Sequence, residues 1–472
     1  MKIRIFCILT TLALCAYITS GICFNTAMVY ANSAQTHWFG VDAFGAIILE
    51  EECPIEVKHE TLTFSLNEFP ANYYENEKDF LSYSGKVSAE YTFYNPANYS
   101  VTATLAFPFG LLPNYFYGWG DTIDDAAKYG VTVNGEKVDS TVRHTYHDVH
   151  SPFNIENDLP RLSDDYITDS LYFPTQVVNV YTYIVSGVDR EKYPTATAAF
   201  DYTVANDKGI IFPDMDGGSF NNKECRLFCG IQNGDTVTIC SVGKEYEPTW
   251  KFYQNGGWEG GKEIHGTMQL ESWKTFNFEE YALQGWDKSG NISKTDYYNA
   301  FVSMLRDRSI NDTNIVEQCN SVSSNLMRWY EYSIELSPGE TLKNCVDAPM
   351  YPDIDSGYNP ILYTYTYLLS PASTWKNFGT LDIVIQTPYY LIDGEGFEKT
   401  EAGYTKSFNG LPQEDLVFSL ATEETVMKIK FSNGEDGWYK FIHIGIPVIT
   451  VAVFVVIVAV GVVLIVKGNR KS

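Results

Sequence analysis

Two loops carry the side chains best suited to chemistry. Phe212-Pro213-Asp214-Met215-Asp216-Gly217-Gly218 and Tyr351-Pro352-Asp353-Ile354-Asp355-Ser356-Gly357 each place two carboxylates two residues apart, ahead of a glycine. Paired carboxylates in such a turn can wrap a hard cation with oxygen ligands, and Asn221 and Asn359 could supply further oxygens. Asp214, Asp216, Asp353 and Asp355 are therefore the candidate calcium ligands; beyond calcium at these loops no cofactor is expected. Neither loop has the third ligand before the glycine or the later glutamate of an EF-hand, and Asp-Gly loops are also ordinary turns. His144, His147 and His150 fall in RHTYHDVH. On a strand that spacing alternates faces and builds no metal site.

A different chemistry is offered by Pro113-Asn114-Tyr115-Phe116-Tyr117-Gly118-Trp119-Gly120. Proline and glycines argue for a loop. Four aromatic rings on a loop can stack on sugars or anchor a protein partner, so Tyr115, Phe116, Tyr117 and Trp119 are the candidate ligand-binding residues. The competing reading folds the loop over the end of a β-sandwich as core. Trp250, Trp258, Trp273 and Trp286 form a second, looser cluster that core packing explains equally well.

Of nine cysteines, Cys7, Cys15 and Cys23 lie near the start, leaving Cys53, Cys225, Cys229, Cys240, Cys319 and Cys345. An even number permits disulfides in an exported chain. Asn233-Gly234 between two apolar runs is a type I′ hairpin signal. In that register Cys240 faces Leu227 and shares a face with Cys225 and Cys229, so at most one pair forms there. No CxxC pair exists to suggest zinc.

No GxSxG, HExxH, Walker A or GxGxxG motif is present, and the chain is read as non-enzymatic. The abundant Asp and Glu keep a glycan-acting hydrolase, with the aromatic loop as platform, as the alternative.

The elements that must hold these residues are mostly strands. Val87, Ala89, Tyr91 and Phe93 alternate with polar partners, as do Val101, Ala103, Leu105 and Phe107, with Asn95-Pro96-Ala97-Asn98 as a turn between them. Val131 and Val133 run through Asn134-Gly135 into Lys137-Val138, a hairpin signal. Tyr363, Tyr365 and Tyr367, then Leu381, Ile383 and Ile385, repeat the period of two. Tyr297, Phe301, Met304 and Leu305 instead share one helical face after Ser293 and Asp296, a capping pattern. Ile315, Cys319, Val322, Leu326 and Trp329 at spacings of three and four predict a second helix, making a helical hairpin.

Both ends address the chain to a membrane. Lys2 and Arg4 precede a short apolar stretch at 5–18, with Val29-Tyr30-Ala31 before the cut of a signal peptide over 1–31. Residues 446–466 are uncharged and apolar or small, long enough as a helix to cross a bilayer core of about 30 Å. Trp438 and Tyr439 precede the run, and Lys467, Arg470 and Lys471 follow it, which puts the tail in the cytoplasm. Five of the 33 basic residues and none of the 59 acidic ones lie in the leader and tail. The ectodomain between is strongly acidic, which excludes nucleic acid as a partner.

The expected fold is mainly β: a multidomain antiparallel β-sandwich ectodomain with a small helical hairpin, plus one C-terminal transmembrane helix. The expected division is a signal peptide over 1–31, an N-terminal β region over 32–275 and a helical segment over 276–332. A membrane-proximal β domain over 333–437, a transmembrane helix over 441–466 and a cytoplasmic tail over 467–472 complete it. VSAEYTFYNP, Phe107-Pro108-Phe109-Gly110 and VTVNGEKV, within residues 87–146, resemble the opening of a VIT-type β domain. That resemblance implies an interaction module without catalytic residues. The overall plan is similar to uncharacterised single-pass surface proteins of Gram-positive bacteria. The expected function is therefore a binding or structural role at the cell membrane, type I, with the large domain outside. The partners are the membrane, through the C-terminal helix, and an extracellular protein or glycan. An accessory subunit of a membrane complex is a further alternative.

Overall fold

The computed structural model describes residues 37–38, 43–49, 53–113, 115, 128–148, 153–221, 223–255, 261–310, 313–317 and 322–429. The chain is mainly β, with several sheets and few helices. No helix among the described residues is long and apolar enough to cross a membrane. The leader at 1–31 and the apolar run at 446–466 lie outside the described residues.

Alternation builds the main body. In Lys86–Tyr94 the side chains of Val87, Ala89, Tyr91 and Phe93 are fully buried, and the residues between them are half-exposed. This strand lies within an eight-stranded sheet. The order is Glu398–Lys399, Gly403–Asn409, Phe378–Gln386, Glu56–Ser65, Lys86–Tyr94, Thr341–Pro349, Gly130–Val133 and Glu136–Lys137. Only Phe378–Gln386 and Glu56–Ser65 pair in parallel. Gly379 lies against the Lys58 carbonyl, where a Cβ would collide, because Glu56–Ser65 carries an extra residue between Val57 and His59.

The apolar face of this sheet shares one core with two smaller sheets. One contains Ile47–Ile48, Val101–Gly110, Leu326–Leu336 and Thr141–Tyr146; the other includes Asp353–Asp355, Leu362–Leu368, Leu416–Ala421 and Tyr390–Asp393. The segment at 43–49 ties them together. Ala43–Phe44 runs parallel to Leu362–Leu368, and Ile47–Ile48 pairs with Val101–Gly110. Each large apolar side chain fully buried here contributes about 1.5–3 kcal/mol against exposure.

The expected boundaries at 275 and 333 do not divide this body. Thr341–Pro349 pairs with Lys86–Tyr94, and Phe378–Gln386 with Glu56–Ser65, so early and late strands share sheets. Thr141–Tyr146 and Leu326–Leu336 are neighbours that meet at Tyr146 and Leu326, and the chain between them forms a second β body. There a five-stranded sheet (Thr267–Asn277, Val177–Ser186, Thr236–Gly243, Lys208–Ile211, Ile315–Val316) packs against a four-stranded one (Gly217–Asn221, Glu224–Gly230, Thr197–Thr203, Trp250–Tyr253).

The helix Lys294–Asp307 forms as its sequence indicates, with Ser293 as N-cap accepting from the Asp296 N–H at 3.0 Å. Residues 296–305 are all buried. Tyr298, Phe301, Val302 and Leu305 share a core with Val178, Cys240 and Val242 of the five-stranded sheet. Polar Asp296 serves the junction with the main body, while Asn299 holds the 163–167 segment of the second body. Asp296 accepts from Arg143 and from the His144 N–H, and Asn299 accepts from the Ile167 N–H at 2.7 Å. Arg143 also reaches Asp164 at 3.0 Å and Glu331 at 2.6 Å.

The second helix is not formed by the described residues of its run, which give two strands and a short 3-10 turn at Val322–Asn325. Ile315–Val316 is a parallel strand beside Lys208–Ile211, and Leu326–Leu336 is an eleven-residue strand with Trp329 fully buried. Asn314, just before the run, is left-handed at φ +54°. The Trp-Tyr-rich stretch satisfies its backbone with two flanking strands instead. The Asn134-Gly135 hairpin is present, with Thr132 opposite Lys137. The Asn233-Gly234 turn is present too, with Gly234 at φ +94°, but its flanking strands join different sheets. The strands either side of Asn95-Pro96-Ala97-Asn98 separate in the same way.

Candidate functional site

Between Glu56–Ser65 and Lys86–Tyr94 the chain makes a long excursion at one end of the main body. It contains the short helix Glu77–Ser82, capped by Asn76, whose side chain accepts from the Asp79 N–H at 3.1 Å. The helix buries Phe80 in a cluster with Tyr74, Tyr83, Tyr115, Tyr351 and Ile354. Phe80 and Tyr83 each lie 5.5 Å from the Tyr351 ring, and Tyr115 lies 6.1 Å from it, edge-on. Such geometries add about 0.5–1.5 kcal/mol per pair beyond burial.

A recess of about 300 Å³ opens beside this cluster. Its aromatic lining is Phe69, Tyr73, Tyr74 and Tyr83, and its polar lining is Glu68, Asp79 and Ser82. Phe69 is held between Tyr363, stacked at 3.7 Å, and Tyr389, at 4.0 Å. Tyr73 is 44% exposed at the rim of the recess. Glu68 accepts from the Ser84 N–H at 2.9 Å and the Ser84 hydroxyl at 2.7 Å, both through Oε1. Asp79 accepts from the Asn76 amide at 2.5 Å through Oδ2. Each carboxylate is thus fixed by one oxygen while the other has no protein partner among the described residues. Burial raises the Tyr74 phenol above its usual range, and Glu68 and Asp79 raise it further.

The structure brings together two features that the sequence keeps far apart. Tyr115, first aromatic residue of the loop, accepts at its backbone carbonyl from the Tyr74 N–H at 3.0 Å. Its ring is 1% exposed, so Tyr115 is core rather than an exposed anchor. Tyr74, Tyr83 and Tyr351 pack around that ring. Phe116, Tyr117 and Trp119 lie outside the described residues. Asp353 belongs to the same neighbourhood. The Tyr115 phenol is pushed well above its ordinary value, mainly by burial, with Tyr83 and Asp353 adding to the effect.

The paired-aspartate loops do not converge on one site. Asp353–Asp355 is a strand of the main body, and Asp355 accepts from the Gly357 N–H at 2.8 Å. Asp214 and Asp216 lie in the inserted body, where they accept from the backbone N–H groups of Thr238 and Gly230. No group of three or more His, Cys, Asp or Glu side chains among the described residues could hold a metal ion. His144 and His147 are buried; His147 pairs with Asp158 at 3.3 Å. His150 lies outside the described residues.

The expected thiol register is overturned. Cys225 and Cys229 lie on Glu224–Gly230, opposite Tyr202 and Ala198, and face the core between the inserted sheets. Cys240 lies opposite Val180 and Ile211, in the core shared with the helix. Cys225, Cys229, Cys240 and Cys345 carry no disulfide. Burial raises the Cys240 thiol to about 11 against a hydrogen bond from the Tyr281 hydroxyl at 3.3 Å. Cys345 is likewise raised to about 11, and Cys229 further. Cys53 is half-buried at the edge of the main core. Cys319 lies outside the described residues.

Sequence reasoning missed Glu68, Asp79, Tyr73 and Tyr74, because no spacing singles them out. It also missed Glu60, which is fully buried beside Tyr91. A signal for Glu60 existed: it stands in phase with the inward Leu62 and Phe64.

A second recess, of about 350 Å³, lies in the inserted body between 194–197 and 230–235. Its one charged side chain, Asp235, accepts from the Gln232 N–H at 2.7 Å, and none of its lining residues is aromatic.

No family model and no curated protein matches the chain. Among solved structures, the chain is similar to a "putative nutrient binding protein" from Legionella pneumophila subsp. pneumophila str. Philadelphia 1. The identity is 11%, over 82% of this chain and 73% of that one, with a TM-score of 0.33. At that score the likeness carries no argument about fold or ligand.

Proposed function

We propose that this chain is an exported, single-pass type I membrane protein whose β-sandwich ectodomain binds an extracellular ligand at its aromatic end. The apolar run at 446–466 with its basic tail supports the anchor, and the leader pattern supports export. The observation that carries the binding reading is the bond between Tyr74 and Tyr115. It fixes the base of the aromatic loop to the wall of a recess that already presents a half-exposed tyrosine and two carboxylates. Concave, aromatic-lined sites with a few fixed polar groups are where small ligands bind. The two bodies and their junction are scaffold in this reading, and binding needs no catalytic group.

The test is a ligand panel of oligosaccharides and small amines against the full-length protein in detergent, with wild type beside Tyr73→Ala. Because Tyr73 is 44% exposed, the substitution should leave the melting temperature nearly unchanged. The reading expects at least one ligand that binds wild type and is lost in the variant. Equal binding of every ligand by both proteins would reject it.

A further inference from the structure

We infer that Asn409 is a site of spontaneous covalent modification, converting to aspartate and isoaspartate faster than the other Asn-Gly pairs that the structure describes. The inference stands apart from the binding reading above.

The chain has five Asn-Gly pairs, beginning at Asn134, Asn233, Asn255, Asn409 and Asn433. Glycine carries no side chain to hinder its nitrogen, so the fold decides the rate by holding or releasing the reacting groups. The glycine backbone nitrogen attacks Cγ of the asparagine. The N–Cγ bond forms, the Cγ–Nδ2 bond breaks, and Nδ2 leaves as ammonia with the proton that the glycine nitrogen gives up. Water then opens the cyclic imide. Cleavage of the N–Cγ bond gives aspartate, and cleavage of the bond to the original backbone carbonyl gives isoaspartate. Water is the sole co-reactant.

Hydrogen bonding treats the pairs differently. At Asn233-Gly234 both reacting groups are held. Asn233 Oδ1 accepts from the Gly187 N–H at 3.0 Å, and the Gly234 N–H donates to the Val185 carbonyl at 2.9 Å. At Asn134-Gly135 the asparagine is held twice by Lys343. Its Oδ1 accepts from the Lys343 N–H at 3.0 Å, and its own N–H donates to the Lys343 carbonyl at 2.7 Å. Asn409 is exposed at the end of the strand Gly403–Asn409. There neither the Asn409 side chain nor the Gly410 N–H has a hydrogen-bond partner among the described residues. Gly135, Gly234 and Gly410 share a positive φ and open space where a side chain would stand, so hydrogen bonding is what separates the three pairs. Gly256, Asn433 and Gly434 lie outside the described residues.

Conversion puts a carboxylate opposite Thr380. As isoaspartate it also reroutes the backbone through Cβ and Cγ, shortly ahead of Leu411, which packs on the main core.

The experiment incubates the full-length protein in detergent at pH 8 in heavy-oxygen water, beside a sample in urea, and follows the three pairs by peptide mapping. Cleavage after Lys and Arg places them in separate peptides. Incorporated heavy oxygen marks conversion during the incubation rather than during digestion. In the folded protein Asn409 should convert roughly tenfold faster than Asn233, where reaction waits on an opening that breaks two hydrogen bonds. It should also outpace Asn134. In urea the three rates should converge. Asn134 or Asn233 keeping pace with Asn409 in the folded protein would overturn the inference. The same order persisting unchanged in urea would assign it to local sequence rather than to the fold, and would overturn the inference as well.

Discussion

Replacing Glu60 by Gln should abolish a pH dependence of stability that runs in an unusual direction. Glu60 faces inward from Glu56–Ser65, fully buried, with Tyr91 and Leu381 as its neighbours on the flanking strands. Neither carboxyl oxygen has a hydrogen-bond partner at bonding geometry. The Tyr91 hydroxyl, which accepts from the Ala46 N–H at 2.9 Å, favours the charged form slightly, but burial dominates and pushes the carboxyl from 4.5 up to about 8. In the unfolded chain this group ionises near pH 4.5; in the folded chain it holds its proton until about pH 8. Folding therefore binds a proton between those values, and stability falls as pH rises through the window. At about 1.4 kcal/mol per pH unit, the loss is roughly 3 kcal/mol between pH 5 and pH 7.5. The carboxylates with lowered values, Glu56 beside Lys58 and Asp201 beside Arg226, act the other way and below this window. Urea unfolding of the full chain at pH 5 and pH 7.5 measures the difference, with hydrogen exchange of peptides from 56–65 as the local readout. Wild type should lose stability across the interval, and Glu60→Gln should lose markedly less. Parallel profiles for the two proteins would refute the reasoning.

Tyr115 buries its ring but leaves its hydroxyl unpartnered. Tyr115→Phe should be neutral or stabilise by up to about 1 kcal/mol, whereas Tyr115→Ala should cost about 3–5 kcal/mol in a denaturant melt. Arg143 is held by Asp296, Asp164 and Glu331 at the junction of the two bodies. Arg143→Met leaves Asp296 buried without its cation and should cost about 3–5 kcal/mol, read by unfolding and by faster exchange in the helix Lys294–Asp307. Cys229, Cys240 and Cys345, held protonated by burial, should react slowly with a thiol reagent at pH 8 until urea is added. Immediate labelling, or a disulfide joining Cys240 to Cys225 or Cys229, would contradict this.

The strands were legible because period-two alternation is a local signal and burial of one face enforces it. Residues 87–93 and 381–385 read this way and fold this way. Their partners were not legible. Asn233-Gly234 encodes a turn, and the turn is present, but nothing local says whether the strand beyond it returns to its neighbour or crosses to another sheet. The thiol register failed for that reason. The helix Lys294–Asp307 was legible because cap and apolar face agree; the run from 315 to 329 had periodicity without caps, and strand pairing prevailed. At the candidate site, the aromatic loop was visible as composition. Glu68, Asp79, Tyr73 and Tyr74 acquire meaning only when the 66–85 excursion folds over Tyr115.

The most direct measurement of the central claim is hydrogen exchange of the full-length protein with and without a saturating ligand from the binding panel. Slower exchange confined to peptides covering 68–84 and the flanks of the aromatic loop at 111–128 is the expected result. Protection that appears instead around 194–197 and 230–235, with 68–84 unchanged, would contradict the assignment of the site.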